Sequence, residues 1–186
     1  ARHTCAIRSS GVAVCWGRND QGQLGDGTTV ERTTPVQVVG LVGALEIDTS
    51  FGKFPSAERY SCARTDSVVW CWGGNKEGQL GNDDSIGFSP RPEIVVDLPG
   101  TGFVDRTLLQ PSLSVGSAHA CANEFDVDGM PPLRDTRCWG RNFADAIASF
   151  GTAFARPQNA LGYPGFTFDV FVAAGENHTC AAFTNR

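Results

Sequence analysis

Residues 3–19 read His-Thr-Cys-Ala-Ile-Arg-Ser-Ser-Gly-Val-Ala-Val-Cys-Trp-Gly-Arg-Asn, and the chain repeats nearly the same phrase from Tyr60 and from His119. A fourth copy opens at His178-Thr-Cys-Ala. The first cysteines of the copies lie 57, 59 and 59 residues apart, at Cys5, Cys62, Cys121 and Cys180. Self-similarity at a fixed period of this size is typical of proteins built from stacked supersecondary units.

The repeated phrase predicts a β-hairpin. In the first copy, two short β-prone runs flank a three-residue turn that ends in Gly11, and antiparallel pairing places Cys5 opposite Cys15. Directly opposed Cβ atoms lie about 4.5 Å apart, which is close to disulfide reach. In the second copy the turn is one residue shorter and so is the cysteine spacing. We therefore predict three cross-strand disulfides: Cys5–Cys15, Cys62–Cys71 and Cys121–Cys138.

Each complete unit continues with a glycine-containing turn and then another β-prone run. The first two units read Gly-Gln-Leu-Gly at 22–25 and 78–81, followed by Pro-Val-Gln-Val at 35–38 and Pro-Glu-Ile-Val-Val at 92–96. This pattern favours an all-β fold of short antiparallel meanders, and about four strands per ~58 residues correspond to one blade of a β-propeller. The predicted repeats cover 1–50, 51–108 and 109–170, with the start of a fourth at 171–186.

These motifs resemble the regulator-of-chromosome-condensation (RCC1) repeat family. The matching pieces are Gly-x-x-His-Thr-Cys-Ala, Cys-Trp-Gly-x-Asn, Gly-Gln-Leu-Gly-Asp-Gly-Thr and the later Pro-Val. The resemblance implies a seven-bladed propeller, of which this chain would supply about three blades. We therefore expect the chain to be a piece of a longer protein or assembly. The cysteine pairs resemble the bacterial and extracellular branch of the family.

Composition limits the binding partners and the cellular location of the protein. Hydrophobic residues make up 41% of the 186 residues, charged residues 19%, and the net charge is −5. An acidic chain without a cluster of Lys and Arg is not expected to bind nucleic acid, because neutralised phosphates supply most of that affinity. No apolar run is long enough for a membrane span. Cysteines arranged for disulfides predict an extracellular or cell-surface location, with Cys180 left unpaired.

Neither a catalytic site nor a cofactor is predicted. His3, His119 and His178 occupy one repeat slot, which favours a shared structural role over metal binding. Trp16, Trp72 and Trp139 recur likewise and are predicted to lie in the core. Asp126, Asp128 and Gly129, with Asp135, weakly resemble a calcium loop, so calcium stays the alternative to no cofactor. No nucleophile elbow, phosphate loop or zincin motif occurs, so no motif in the sequence argues for an enzyme.

Two insertions depart from the repeat, about five residues within 51–59 and a longer stretch at 143–154. In residues 143–154 the apolar side chains recur at helical spacing, which predicts a short amphipathic helix: Phe143, Ile147, Phe150 and Phe154. Such a helix would cap the blade or cover an exposed edge, and the alternative is a docking surface for a neighbouring subunit. The leading function is a secreted or cell-surface scaffold for protein–protein contacts. The alternatives are a module that binds carbohydrate, including surface glycans, and a hydrolase or lyase with its site in the channel. Nucleotide exchange on a small GTPase is disfavoured, because the predicted disulfides are not expected in the cytosol.

Overall fold

The computed structural model describes residues 3–51, 58–83, 86–96, 98, 113–125, 134–141, 153–159, 169–176 and 178–184. Within these residues every regular element is a strand. The strands are β1 (His3–Ile7), β2 (Ala13–Gly17), β3 (Arg32–Gln37), β4 (Glu46–Thr49), β5 (Tyr60–Arg64), β6 (Val69–Gly74), β7 (Phe88–Ile94), β8 (Leu113–Val115), β9 (His119–Phe125), β10 (Arg134–Arg141), β11 (Ala153–Asn159), β12 (Asp169–Ala174) and β13 (Thr179–Thr184). The all-β prediction is confirmed.

The strands form four antiparallel sheets that follow one another along the chain. Sheet 1 is β1-β2-β3, sheet 2 is β4-β5-β6-β7, sheet 3 is β8-β9-β10-β11, and sheet 4 is β12-β13. Strand β4 lies within the sequence repeat 1–50 but pairs with β5 of the next sheet. The sheets are therefore displaced by one strand from the repeats drawn on the sequence.

The hairpin register is the one that the cysteine spacing predicts. Cys5 pairs with Cys15 across β1 and β2, Cys62 with Cys71 across β5 and β6, and Cys121 with Cys138 across β9 and β10. All three pairs are disulfides, with Cα atoms 4.1 Å apart. Cys180, in β13, is a free and exposed thiol.

The helix prediction is wrong at its carboxyl end. Phe154 lies in strand β11, where it pairs with Gly140 of β10. The ladder hydrogen bonds to β10 therefore determine the backbone conformation there, and the spacing of the apolar residues does not. The other three members of the predicted helix, Phe143, Ile147 and Phe150, lie outside the described residues.

The hydrophobic core lies between successive sheets. One cluster joins sheet 1 to sheet 2 and contains Ala13, Cys15, Leu24, Val38, Leu41, Ala44, Ala63 and Trp72. A second cluster joins sheet 2 to sheet 3 and contains Tyr60, Cys62, Val69, Cys71, Leu80, Val95, Leu113, Val115, Ala120, Ala122 and Trp139. Each sheet thus depends on its neighbour to bury its apolar face.

Strands β3 and β7 are the last strands of sheets 1 and 2 and lie at the sheet edges. Strand β3 carries Pro35, and strand β7 carries Pro90 and Pro92. Proline has no N–H group to donate, and proline on an edge discourages pairing with another chain.

Glycine allows the tryptophans to lie against the neighbouring sheet. A Cβ atom on Gly25 would lie 2.8 Å from Nε1 of Trp72, and a Cβ atom on Gly81 would lie 2.8 Å from Cδ1 of Trp139. Both glycines also have positive φ, of 69° and 60°. Each Gly-Gln-Leu-Gly loop therefore needs glycine at its fourth position for both reasons.

We predict that Gly25→Ala destabilises the protein more than Gly40→Ala does. Both positions have positive φ, but a Cβ atom on Gly40 would meet nothing within 4 Å. Gly40→Ala should cost about 1 kcal/mol for its backbone conformation alone, and Gly25→Ala about 2–4 kcal/mol because Trp72 must also move. Urea denaturation measures both losses. Equal losses would show that the indole does not confine Gly25.

Candidate functional site

The repeat slot that holds histidine or tyrosine lies on the interface between successive sheets, which we call the seam. His3, Tyr60 and His119 are buried at the first positions of β1, β5 and β9, and His178 precedes β13 and is exposed. The next residue in each copy is Thr4, Ser61, Ala120 or Thr179. These two adjacent columns of the repeat meet across the seams.

Histidine in one sheet contacts a hydroxyl group in the next. His3 Nε2 lies 2.8 Å from Ser61 Oγ, and His119 Nε2 lies 2.8 Å from Thr179 Oγ1. The Ser61 hydroxyl donates its single proton to the carbonyl oxygen of Gln23, 3.0 Å away. His3 must therefore be the donor to Ser61, which assigns its proton to Nε2.

Tyrosine occupies the slot where the next sheet offers no hydroxyl group. Opposite Tyr60 the second column holds Ala120, and the longer phenol reaches past it to the backbone. The Tyr60 hydroxyl group lies 2.6 Å from the carbonyl oxygen of His119 and 3.3 Å from that of Gly116. The described seams thus show two pairings, histidine with a hydroxyl residue and tyrosine with alanine.

The Gly-Gln-Leu-Gly loops receive the tryptophans of the next sheet. Trp72 Nε1 donates to the carbonyl oxygen of Gln23 and Trp139 Nε1 donates to that of Gln79, each at 2.9 Å. Both indoles are fully buried, as the sequence predicted for the repeat tryptophans, whereas Trp16 is only half-buried. Trp72 and Trp139 therefore cannot form the exposed platform that the carbohydrate alternative needs.

Burial controls the protonation of the seam histidines. Burial, together with the positive charge of Arg59, lowers the pKa of His3 to about 4. Burial, together with electrostatic repulsion from His178, lowers the pKa of His119 to about 4. Both rings are therefore neutral at neutral pH. Among the described residues, no cluster of three or more His, Cys, Asp or Glu side chains could hold a metal ion.

Carboxylates on β4 bind the edge of the next sheet. Glu46 Oε2 accepts the N–H of Leu113 at 3.0 Å, and Asp48 Oδ2 accepts the N–H of Val115 at 2.8 Å. Glu46 also forms an ion pair with Arg64, and burial raises the pKa of Asp48. These two carboxylates thus hold strand β8 in place. A hydrolase with its site in the channel would need carboxylates that face a substrate instead.

The residues of the weak calcium motif do not form a described site. Asp126, Asp128 and Gly129 lie outside the described residues, and only the backbone of Asp135, in β10, is described. Calcium binding therefore stays the alternative left by the sequence.

The loop between β3 and β4 exposes several apolar side chains. In the loop between β3 and β4, Leu41 and Ala44 are buried, whereas Val39, Val42 and Leu45 are exposed, Val42 by 74%. Ala44 N donates to Gly11 O at 3.0 Å, which fixes this loop against the β1–β2 turn. The three exposed side chains thus lie on a braced loop, and we call them the apolar loop face.

Comparison with known proteins agrees with this geometry. The family model "Regulator of chromosome condensation (RCC1) repeat" matches residues 11–50. The chain is 27% identical over 183 residues to the ultraviolet-B receptor UVR8 of Arabidopsis thaliana, a match covering 97% of this chain and 37% of the receptor. Residues 11–50 form an RCC1-type repeat.

Other relatives with RCC1-type similarity are larger than the matched segment. The human E3 ubiquitin-protein ligase HERC2 is 34% identical over 122 residues, covering 66% of this chain and 2% of the ligase. Human protein RCC2 is 32% identical over 97 residues, covering 52% of this chain and 18% of that protein. The chain thus spans well under two thirds of each of these relatives.

Solved structures share the RCC1-type fold at low sequence identity. Prp20p of Saccharomyces cerevisiae superposes with a TM-score of 0.51 at 16% identity, covering all of this chain and 54% of that one. Human WBSCR16 superposes with a TM-score of 0.50 at 12% identity, covering 99% and 56%. The four sheets are therefore β-propeller blades. In the described part of the chain, no helix is long and apolar enough to cross a membrane.

Several seam residues were missed by the sequence analysis. Ser61 and Thr179 hold the histidines, the carbonyl groups of Gln23 and Gln79 hold the tryptophans, and Glu46 and Asp48 hold β8. The first two could have been found, because the column that follows the histidine slot reads Thr, Ser, Ala, Thr. The carbonyl groups leave no trace in a sequence.

We predict that Tyr60→His and Ala120→Ser are coupled. Tyr60→His alone should destabilise by about 2–4 kcal/mol, because it removes buried volume and the bonds of the phenol. Ala120→Ser alone should place a hydroxyl group in a seam that has no histidine. The double variant creates in this seam the same histidine–serine pairing that His3 and Ser61 form in the first seam, so it should recover about 1 kcal/mol relative to the sum of the single losses. Urea denaturation of the four proteins measures the coupling, and strict additivity would contradict the pairing.

We predict that acid weakens the seams between about pH 6.5 and pH 4. An unfolded histidine takes up its proton near pH 6.5, whereas His3 and His119 do so only near pH 4. Their contribution to stability is complete above pH 6.5 and falls as the pH falls, by up to about 3 kcal/mol for each histidine. Denaturation at several pH values measures the slope.

A matched pair of variants isolates the histidines from the carboxylates. His3→Gln and His119→Gln place an amide nitrogen near the position of Nε2 but do not titrate. The double variant should flatten the slope between pH 4 and pH 6.5 and leave the fall below pH 4 unchanged. An unchanged slope would show that other groups cause the acid sensitivity.

Proposed function

We propose that this chain is part of a rigid β-propeller scaffold that binds other proteins through the loops on its faces. The proposal depends on one observation: the recurring side chains of the repeat form hydrogen bonds across the seams. His3, His119 and Tyr60 bridge buried seams, and Trp72 and Trp139 do the same. Side chains already fixed in this way are unsuited to turnover chemistry. The varied loops are left to carry function on a fixed frame.

The apolar loop face supports protein binding. Val39, Val42 and Leu45 present apolar surface to solvent from a loop whose backbone is braced. Several apolar side chains exposed on one loop are a candidate contact site. Among structures of the same fold, Prp20p is described with its binding to Gsp1p and histones. That precedent supports protein binding as the function of such a frame.

A secreted or cell-surface location is the second part of the proposal. Three disulfides, each closed across adjacent strands, support an oxidising compartment, because the cytosol keeps thiols reduced. Trapping thiols with an alkylating reagent in intact cells of the source organism tests this part. Six protected cysteines and an alkylated Cys180 are expected. Alkylation of all seven would place the protein in a reducing compartment.

Substitutions on the apolar loop face test protein binding. Val42→Asp changes a side chain that is 74% exposed, and Val30→Asp is the matched control at 57% exposure in the loop between β2 and β3. Partners are purified from the source organism with the wild-type protein, and their affinities for the three proteins are measured by calorimetry. We expect Val42→Asp to weaken binding at least tenfold and Val30→Asp to leave it unchanged.

Two results would contradict this proposal. If no purified protein binds the wild-type chain, the scaffold function is wrong. If a partner binds all three proteins equally, the apolar loop face is not its contact site.

A further inference from the structure

Two equivalent glutamines in successive blades differ in one hydrogen bond. Gln23 and Gln79 hold the same position in the Gly-Gln-Leu-Gly loops, and both are fully buried. Gln23 Oε1 accepts the N–H of Gln21 at 2.8 Å, and its Nε2 donates to Asp20 Oδ1 at 3.1 Å. Gln79 Oε1 accepts the N–H of Glu77 at 2.9 Å, but its buried Nε2 has no partner among the described residues.

The orientation of the Gln79 amide is fixed. Exchanging its oxygen and nitrogen would point an N–H group at the N–H of Glu77, which can only donate. The unpaired atom is therefore a donor, and it needs an acceptor. Buried donors in native proteins nearly always have one.

A single substitution between the blades explains the missing acceptor. Asn19 and Asn75 each accept the N–H of a leucine five residues later, at 2.9 Å, and this aligns the two loops. The next residue is Asp20 in the first loop and Lys76 in the second. An ammonium group cannot accept a hydrogen bond, so Lys76 cannot replace the carboxylate.

The surrounding acidic groups are already engaged. Lys76 Nζ lies 3.0 Å from Glu58 Oε1, and Glu58 Oε2 accepts from Gln21 Nε2 at 3.0 Å. Glu77 faces Arg141, with Oε1 and Nη1 4.0 Å apart. The carboxylates of Glu58 and Glu77 therefore already have polar partners of their own, and neither is bonded to Gln79 Nε2.

The missing acceptor can be supplied from outside. In the first blade the Asp20 side chain lies over Gln23 and remains 44% exposed. The equivalent place in the second blade is therefore at the surface, beside a Lys76 side chain that is 68% exposed.

We propose that Lys76 and Gln79 form a binding site for the carboxylate of an aspartate or glutamate side chain on a partner protein. The incoming carboxylate takes the place that Asp20 holds in the first blade, accepting from Gln79 Nε2 and pairing with Lys76 Nζ. The inference deepens the proposed scaffold function and rests on it. A single carboxylate with two contacts binds weakly, so affinity must come from the protein that carries it.

Side-chain amide resonances test the site, with Gln23 as an internal control. The probes are the peptide acetyl-Gly-Asp-Gly-amide and its matched control acetyl-Gly-Asn-Gly-amide, titrated into ¹⁵N-labelled protein. We expect the aspartate peptide to shift the Gln79 amide in a saturating manner. Gln23 should not shift, because Asp20 already fills its site, and the asparagine peptide should shift neither amide.

Three variants extend the test. Lys76→Asp supplies the carboxylate from within and should abolish the Gln79 response. Lys76→Ala should weaken peptide binding about fivefold, the effect of one exposed ion pair. Asp20→Lys should give Gln23 the response that Gln79 shows in the wild-type protein. An unchanged Gln23 spectrum in the two Lys76 variants confirms that the fold is kept.

Three outcomes would overturn the proposal. The first is no shift of Gln79, which would mean that water satisfies the amide. The second is an equal response to both peptides, and the third is a response that survives in Lys76→Asp. None of these results bears on the Val42→Asp experiment, because Val42 lies in a different loop. A protein that loses partner binding with Val42→Asp but ignores the peptide keeps its scaffold function and lacks only this site.

Discussion

The carbonyl oxygen of Gln23 accepts hydrogen bonds from two side chains of the next blade, Trp72 Nε1 and Ser61 Oγ, and Ser61 in turn accepts from His3. A tight Gly-Gln-Leu-Gly loop exposes backbone groups that no strand ladder satisfies. Buried without partners, those groups would cost more than the apolar contacts around them provide. The neighbouring blade supplies the partners, and the same side chains fill the space between the sheets. Packing and hydrogen bonding thus require the same neighbour, which is why the repeat preserves histidine or tyrosine, tryptophan and glycine together.

This constraint limits what the conserved-looking positions of the repeat can do. A catalytic histidine needs access to substrate and a pKa near the working pH. His3 and His119 have neither, because burial keeps them neutral and their Nε2 atoms are engaged across the seams. The carboxylates of Glu46 and Asp48 are likewise committed to the backbone of β8. These two histidines and two carboxylates are therefore explained by assembly of the blades.

The sequence could predict what depends on local pairing. The hairpins and their three disulfides follow from turn length, because opposed positions in a two-stranded ladder are fixed by the turn. The sequence could not show that β4 joins the following sheet, since short strands with similar patterns can pair on either side. Nor could it show that Phe154 lies in a strand, because apolar residues at helical spacing fit a strand whenever a ladder partner is available. The site at Gln79 depends on one unmet hydrogen bond, which only coordinates can reveal.

Differences between equivalent positions therefore say more about function than the repeat does. Where Tyr60 and Ala120 replace histidine and a hydroxyl residue, the change is matched on both sides of the seam, and the fold absorbs it. The second blade has Lys76 at the position equivalent to Asp20, and only part of this change is compensated. The Lys76 ammonium group pairs with Glu58, but the buried Nε2 of Gln79 has no acceptor. A compensated substitution maintains structure. An uncompensated one leaves a donor of defined chemistry and position. Among the described residues, Gln79 Nε2 is the one buried side-chain nitrogen or oxygen without a partner, and that donor is suited to a group from another molecule.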